Sequence, residues 1–328
     1  MARKLRLEYE GAMYHVINRG INRGTHRGDV FATGRAKDAF EACLLEACVK
    51  AQWRLHAYVI MRNHYHLALE TPQGNLVDGM RWLQSTFANR FNRLRGDRGH
   101  VFQGRYHAFL VENLRELGAV GHSIHLNPVR AGLVQLEQLE GYRIGSYGYL
   151  RHPKTRPSCL SFGAVLSAAG GLLDKKAGWV RYAAYLKWLA KNQPAQKGLA
   201  FDQMCRGWAI GSDEFKQDVR RKYEESLTGR GAEASTRSEA RAQVWKTQLN
   251  LALARLGKTP ADVSGDRKGA PWKVAIVAHL KALTTISNPW IAEELKMGAP
   301  AAVSRYVDEF RKGKRPAVSP YFSKISRG

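Results

Sequence analysis

The sequence predicts an α+β protein whose N-terminal half alternates strands and helices and whose C-terminal region is helical and basic. Hydrophobic residues repeat with a period of two in some segments of the first half and with helical spacing in others. Apolar residues make up 44% of the 328 positions, enough to bury a sizeable core, which excludes wholesale disorder. Lys and Arg number 52 against 28 Asp and Glu, a net charge of +24.

Four segments of the first half have strand character. Met13–Arg19 is rich in β-branched and aromatic residues, and residues 101–111 form a similar run. Residues 53–61 and 64–70 read as two strands joined by the tight polar turn Arg62–Asn63, which predicts a hairpin.

Three helices are predicted between and after these strands, over residues 35–50, 76–94 and 112–127. The last is expected to end where Pro128 interrupts it. The resulting order β-α-β-β-α-β, followed by a helix, is typical of a ferredoxin-like antiparallel sheet with helices on one face.

Charge divides the chain unevenly. Residues 1–150 contain 20 basic and 13 acidic residues, a net of +7, whereas residues 151–328 contain 32 and 15, a net of +17. Prolines and basic residues mark a linker at 151–158, and a second loose stretch runs over 228–241. We therefore predict three units: a domain at 1–150, a linker and helical middle segment at 151–235, and a basic helical module at 236–328.

A helix-turn-helix is predicted over residues 286–310 of the third unit. Asn288 is the expected cap, with Pro289 at the first helical position and Gly298 in the turn. The second helix would present Ser304, Arg305 and the nearby Lys312 to DNA. An ordinary helical hairpin is the alternative.

The charge balance narrows the classes of partner and compartment. A net charge of +24 indicates a polyanion, most often nucleic acid, with an anionic membrane surface as the second candidate. No run approaches 18 apolar residues, which excludes a transmembrane span, and the N-terminus lacks the apolar core of a signal peptide. The four cysteines form no CxxC pair, so a cysteine zinc site or a disulfide framework is not indicated. We expect a bacterial cytoplasmic protein associated with the nucleoid.

The histidine pair His64–Tyr65–His66 is the sharpest candidate site. Side chains alternate across a strand, so both imidazoles project from one face and can share a divalent cation. A structural role is the alternative for an isolated pair. His122 and His125 could likewise contact DNA or metal, although ordinary buried roles are the simpler expectation.

Arginines concentrate near this candidate site. They occur in the glycine-broken loop after the first strand and before and within the segment VFQGRYH, where they would contact phosphates unless they form only a solvated surface. The candidate DNA contacts among them are Arg19, Arg23, Arg90, Arg93, Arg95 and Arg105.

Several separated motifs resemble a known family. The segments MRNHYHLALETPQGNLVDGMRWLQSTFANRFNR, GHVFQGRYHAFLVE and IHLNPVRAGLV occur in order and are similar to those of REP-associated tyrosine transposases, in the single-tyrosine HUH (IS200-like) superfamily. The resemblance covers about residues 5–150. The segment from Lys273 to Phe310 is similar to the helix-turn-helix tails of some members.

The resemblance implies a strand transferase that acts on single-stranded or hairpin DNA such as REP elements. In such enzymes two histidines and a polar residue hold Mg²⁺ or Mn²⁺, and a helix-borne tyrosine attacks the phosphate to form a 5′-phosphotyrosine. The matching ligand positions here are His64, His66 and Asn127. Members often form homodimers, so a homodimer is also implied.

The sequence departs from the family at the nucleophile, where Ser123 occupies the tyrosine position. We expect that strand cleavage is impaired while DNA binding is retained. A serine alkoxide is harder to form than a phenolate, and its oxygen lies about 4 Å closer to the backbone.

Three alternatives remain. Ser123 itself or another tyrosine could attack; the candidates are Tyr106, Tyr142, Tyr147 and Tyr149. The protein could instead be a non-catalytic DNA-binding regulator derived from the transposase fold. An RNA-binding protein is a weaker third alternative, since ferredoxin-like sheets also bind RNA.

Overall fold

The computed structural model describes residues 7–20, 30–96, 98–228, 245–284 and 286–326. Two compact units divide the chain, residues 1–228 and residues 229–328. The first contains a five-stranded sheet with helices, and the second is helical throughout its described part. The predicted α+β class is therefore confirmed. The predicted DNA contact Arg23 lies outside the described residues.

Four antiparallel strands form the main part of the sheet. They are β1 (Ala12–Arg19), β2 (Arg54–Ile60), β3 (His64–Thr71) and β4 (His107–Val111), in the order β2-β3-β1-β4. The predicted hairpin joins β2 to β3, and the Met61 N–H donates to the His64 carbonyl at 2.8 Å. Because β1 lies beside β3, Arg19 pairs with His64 and Ile17 with His66.

Two details of the sheet differ from the prediction. A fifth strand, β5 (Ala209–Ile210), pairs in parallel with β4, so the sheet is not entirely antiparallel. The predicted strand over residues 101–111 is wrong in its first half, because β4 begins only at His107. Upstream of it, the Gly104 carbonyl accepts a hydrogen bond from the Asn18 side chain at 3.2 Å, which is not a strand-ladder contact.

Helices cover both faces of the sheet, which corrects the prediction of a single helical face. Tyr65 of β3 contacts Phe40 of α1 (Gly34–Ala51), with ring centroids 4.6 Å apart, and Phe40 in turn contacts Phe87 of α2 (Leu76–Arg95). His66 points to the opposite face, which α3 (Leu114–Arg130) covers. A strand buried on both sides needs a helical layer on each, and both Tyr65 and His66 are buried.

Helix α3 continues through Pro128 to Arg130, so its predicted end at Asn127 is wrong. A proline this close to the C-terminal end removes one hydrogen bond without stopping the helix. The Ala131 N–H donates to the Asn127 carbonyl at 2.9 Å and completes the last turn. Ser123, Asn127 and Arg130 consequently lie at i, i+4 and i+7 on one face of the helix.

Residues 131–228 complete the first unit. Their α-helices are α4 (Gly163–Ala168), α5 (Lys176–Lys191), α6 (Gln193–Gly198) and α7 (Asp213–Thr228). Helix α4 approaches α3 closely at Gly118, where a Cβ atom would lie 2.5 Å from the Ala164 carbonyl oxygen.

A buried hydrogen-bond network joins α5 to α3. The Tyr182 hydroxyl lies 3.0 Å from Nδ1 of His122 and 2.8 Å from Nδ1 of His125. On its other side the His125 ring contacts the Ser146 hydroxyl, with Nε2 to Oγ at 2.9 Å. All four side chains are buried, so the two histidines serve the structure and do not contact DNA.

The second unit is built around a buried central helix. Its helices are the helical residues 245–256 (α8), α9 (Pro260–Gly265), α10 (Pro271–Leu283), α11 (Asn288–Glu294), α12 (Pro300–Arg311) and α13 (Ser319–Ser326). Ser287, and not the predicted Asn288, caps α11 by accepting from the Trp290 N–H at 3.4 Å. Gly298, with φ +80°, makes the predicted turn before α12. None of the described helices is long and apolar enough to cross a membrane.

Removing the Tyr182 hydroxyl should destabilise the first unit. Tyr182→Phe leaves nitrogens of His122 and His125 without a partner in a buried site, which should lower the free energy of unfolding by about 1–3 kcal/mol. Urea denaturation followed by circular dichroism measures the change. The matched control is Tyr185→Phe on the same helix, which should change stability far less; equal losses in both variants would contradict the role of the network.

Acid should destabilise the first unit through His122. Burial lowers the pKa of His122 to about 3, whereas an unfolded histidine titrates near ~6.5. Since the unfolded state binds the extra proton, stability falls as the pH drops below about 6.5, by up to ~2 kcal/mol at about pH 5 for this group. Urea unfolding of His122→Asn should show a shallower pH dependence than the wild type, and His152→Asn, at an exposed site, should not. Identical slopes in all three proteins would refute this assignment.

Candidate functional site

A cavity of about 490 Å³ lies where α3 faces β1 and β3. It brings together three residues that the sequence analysis selected, His66, Ser123 and Asn127. The fourth, His64, lies beside His66 with ring centroids 5.1 Å apart. The remaining lining residues are His15, Ile124, Arg130, Ala131, Phe201, Asp202, Cys205 and Arg206.

A chain of hydrogen bonds fixes the proton on His66. Nδ1 of His15 lies 3.0 Å from the Met204 carbonyl, which can only accept, so this nitrogen carries the proton. Burial lowers the pKa of His15 to about 4, so the ring is neutral and its Nε2 is an acceptor. Nδ1 of His66, 3.1 Å away, must therefore donate to it, and the lone pair of His66 is left on Nε2.

The neighbouring His64 reaches the same state by a local contact. Its Nδ1 lies 2.6 Å from the side-chain oxygen of Asn63, which accepts the proton. Burial, and secondarily the charge of Arg19, lowers the pKa of His64 to about 4. Both imidazoles are thus neutral, with Nε2 unprotonated, which is the form that ligates a metal.

The donor set fits a divalent cation. No group of three or more His, Cys, Asp or Glu side chains suited to a metal occurs among the described residues, so a third protein ligand must be of another type. Asn127 lines the same cavity as His66 and can supply an amide oxygen. Two imidazoles and one amide leave coordination positions for water or phosphate oxygens, as Mg²⁺ and Mn²⁺ require.

Ser123 accepts a hydrogen bond from a cation. Nη1 of Arg130 donates to the Ser123 hydroxyl oxygen at 3.2 Å. The guanidinium also lies over the Phe201 ring at 5.5 Å and 3.9 Å from Asp202. Sequence analysis missed Arg130; its position seven residues after Ser123, hence on the same helix face, was the available signal.

The four alternative tyrosines lie elsewhere. In the described part of the chain none of them lines this cavity. The Tyr142 hydroxyl donates to the Ile60 carbonyl at 2.8 Å, and burial raises the pKa of Tyr142 to about 12. The Tyr147 ring contacts His125, with centroids 5.4 Å apart, on the structural side of α3. Tyr106 is buried, and burial raises the pKa of Tyr149.

The arginines selected from the sequence differ in their surroundings. Arg19 is exposed beside the histidine pair, and Arg93 and Arg105 are also exposed. Arg90 donates to Glu46 at 2.8 Å and to the Cys43 sulfur at 3.2 Å, so part of its charge is neutralised by α1. Arg95 lies over the Phe91 ring at 5.3 Å.

The three selected residues of the second unit all have partners within it. The Ser304 hydroxyl accepts from the Asn288 side chain at 2.6 Å and thereby links α11 to α12. Arg305 lies 3.8 Å from Glu309, and Lys312 donates to Asp308 at 2.6 Å.

Comparisons with known proteins agree on one family. Residues 8–125 match the family model described as transposase, IS200 like. A solved structure of a REP-associated tyrosine transposase bound to a REP hairpin aligns with 48% of this chain and 89% of that chain, at 16% identity and a TM-score of 0.39. At that score the structural likeness carries no argument. No curated protein matches the chain.

Replacing His15 should weaken metal binding without removing a ligand. His15→Phe keeps a ring of similar size but lacks the acceptor that orients His66, so Mn²⁺ affinity should fall about 10- to 100-fold. Titration of the full-length protein with Mn²⁺, followed by electron paramagnetic resonance of the free ion, measures this. His152→Phe, on the exposed surface, is the control and should bind like the wild type. Unchanged affinity in His15→Phe would show that the hydrogen-bond chain does not matter for the ion.

Proposed function

Residues 8–125 belong to the IS200-like transposase family, and from this premise we propose that the protein binds single-stranded or hairpin DNA, such as REP elements, with a divalent metal. The observation that carries the proposal is the shared state of His64 and His66, each neutral and with its lone pair on Nε2. Neither Mg²⁺ nor Mn²⁺ binds a protonated imidazole, so this arrangement serves metal binding better than it serves ordinary burial.

His64, His66 and Asn127 would hold the ion. When bound, Mg²⁺ or Mn²⁺ supplies charge that polarises a phosphate oxygen of the DNA. Arg130, on the same face of α3 as Asn127, adds a guanidinium that can bind a phosphate through two parallel hydrogen bonds. The cavity therefore combines two means of binding one scissile phosphate.

Strand cleavage is impaired in this proposal, because Ser123 has no group to take its proton. The partner of its hydroxyl is Arg130, 3.2 Å away, and a guanidinium donates hydrogen bonds but cannot accept a proton. The side chain is also 7% exposed and shorter than tyrosine, so a phosphate positioned for tyrosine would be out of its reach.

A non-catalytic DNA-binding regulator is the second candidate. The Arg130–Ser123 contact favours it, since it puts a phosphate-binding cation where a nucleophile would act. In both candidates the sheet is a ferredoxin-like platform, and α11 and α12 are a helix-turn-helix that adds contacts to DNA through Arg305 and Lys312. We further propose that the protein acts on bacterial nucleoid DNA in the cytoplasm, with a homodimer as a possible assembly to be tested by light scattering.

Restoring the nucleophile should restore cleavage. With a labelled hairpin and Mn²⁺, the wild type should bind the DNA but give no covalent protein–DNA band on a denaturing gel. Ser123→Tyr should give such a band, because the phenol extends about 4 Å further toward the phosphate and ionises more readily.

Two variants control this test. Ser123→Phe has the same ring without the hydroxyl, and the double variant His66→Ala with Ser123→Tyr lacks a metal ligand; neither should form the adduct. A covalent band from the wild type would overturn the proposed impairment, and mapping it would identify the real nucleophile. Failure of the wild type to bind any hairpin or single strand would overturn the proposed function itself.

A further inference from the structure

A second and larger cavity, of about 920 Å³, lies next to the histidine cavity. We call it the Trp208 groove. Its walls come almost entirely from residues 200–220, a segment outside the family match, together with Glu116 of α3. The volume is at the upper end of the ~300–1,000 Å³ that ligand sites span, so a nucleotide fits.

The wall that carries Trp208 is fixed to the sheet. The Leu110 N–H donates to the Trp208 carbonyl at 3.1 Å, and the Glu112 N–H donates to the Ile210 carbonyl at 3.0 Å. The Glu112 carboxylate also accepts from the N–H of Ser212 at 2.6 Å. Because these bonds hold the backbone on both sides of the tryptophan, the groove is formed before any ligand arrives.

The groove has the composition of a site for single-stranded nucleic acid. Trp208 is 44% exposed, so part of its indole is open to stack on a base. Three cations line the groove, Arg206 and, one turn apart on α7, Lys216 and Arg220. Glu116 is the one acidic residue among the lining side chains, and Lys216 also contacts Asp213 at 3.1 Å. Cations beside an exposed aromatic ring suit a ligand with flat bases and a charged backbone.

The groove is continuous with the histidine cavity. Arg206 lines both. Met204 lines the groove, and its carbonyl accepts the hydrogen bond from His15 that orients His66. A strand that lies in the groove therefore reaches the site that binds the scissile phosphate.

We propose that the Trp208 groove binds unpaired nucleotides that flank the hairpin, with a base stacked on Trp208 and phosphates against Lys216 and Arg220. This inference rests on the proposed function and adds to it a second contact for the strand that enters the histidine cavity. Because every base has a flat face, the groove holds the flank with little regard to its sequence.

The test compares two labelled hairpins, one with unpaired flanks on both ends and one without flanks, by fluorescence anisotropy on the full-length protein with Mn²⁺. Trp208→Ala should weaken binding of the flanked hairpin about 5- to 100-fold and leave the flankless hairpin unchanged. Trp208→Phe, which keeps a stacking ring, should lose much less. Abasic flanks should weaken wild-type binding and have no further effect on Trp208→Ala.

The outcomes separate this inference from the function beneath it. Equal losses on both hairpins, or no loss on the flanked one, would overturn the groove while leaving hairpin binding intact. A wild type that binds neither hairpin would overturn the proposed function. Should Trp208→Ala fold poorly, photocrosslinking of 5-bromouracil flanks to the wild type decides: adducts within residues 200–220 support the groove, and adducts only elsewhere refute it.

Discussion

The hydrogen-bond chain from Met204 through His15 to His66 is the contact on which the candidate site depends. A carbonyl oxygen cannot donate, so it sets the proton position on His15, and His15 in turn sets it on His66. Without this chain the His66 ring could present either nitrogen, protonated or not, to the cavity. The chain also links two parts of the protein, since Met204 lies outside the family-matched region and both histidines lie within it.

Helix α3 has two faces with different tasks. One carries Ser123, Asn127 and Arg130 toward the cavity. The other is held by the buried contacts of His122 and His125 with Tyr182. Since a buried polar group is costly to leave without its partner, the second face restricts how far the first can move. The middle segment, for which sequence periodicity indicated only a helix, is thereby part of what positions the site.

Metal binding and nucleophilic attack are separable in this arrangement. The imidazoles and Asn127 depend on strands and on α3, and none of them depends on the identity of residue 123. A change from tyrosine to serine at that position therefore removes a reactive group and leaves room that Arg130 uses. A protein altered in this way would keep its affinity for a phosphate while losing the means to break the bond.

The sequence by itself determined the order of elements, the hairpin that carries the histidine pair, and the shared faces of His64 with His66 and of Ser123 with Asn127, because these follow from repeats of two and of 3.6 residues. Only the tertiary structure decided the roles of His15, Met204 and Arg130, the second helical layer and the parallel strand β5. His15 and Met204 are 189 positions apart, and β5 spans two residues, so neither leaves a periodic signal. Local spacing reports which side chains share a face, whereas contacts between distant segments form only when the chain folds.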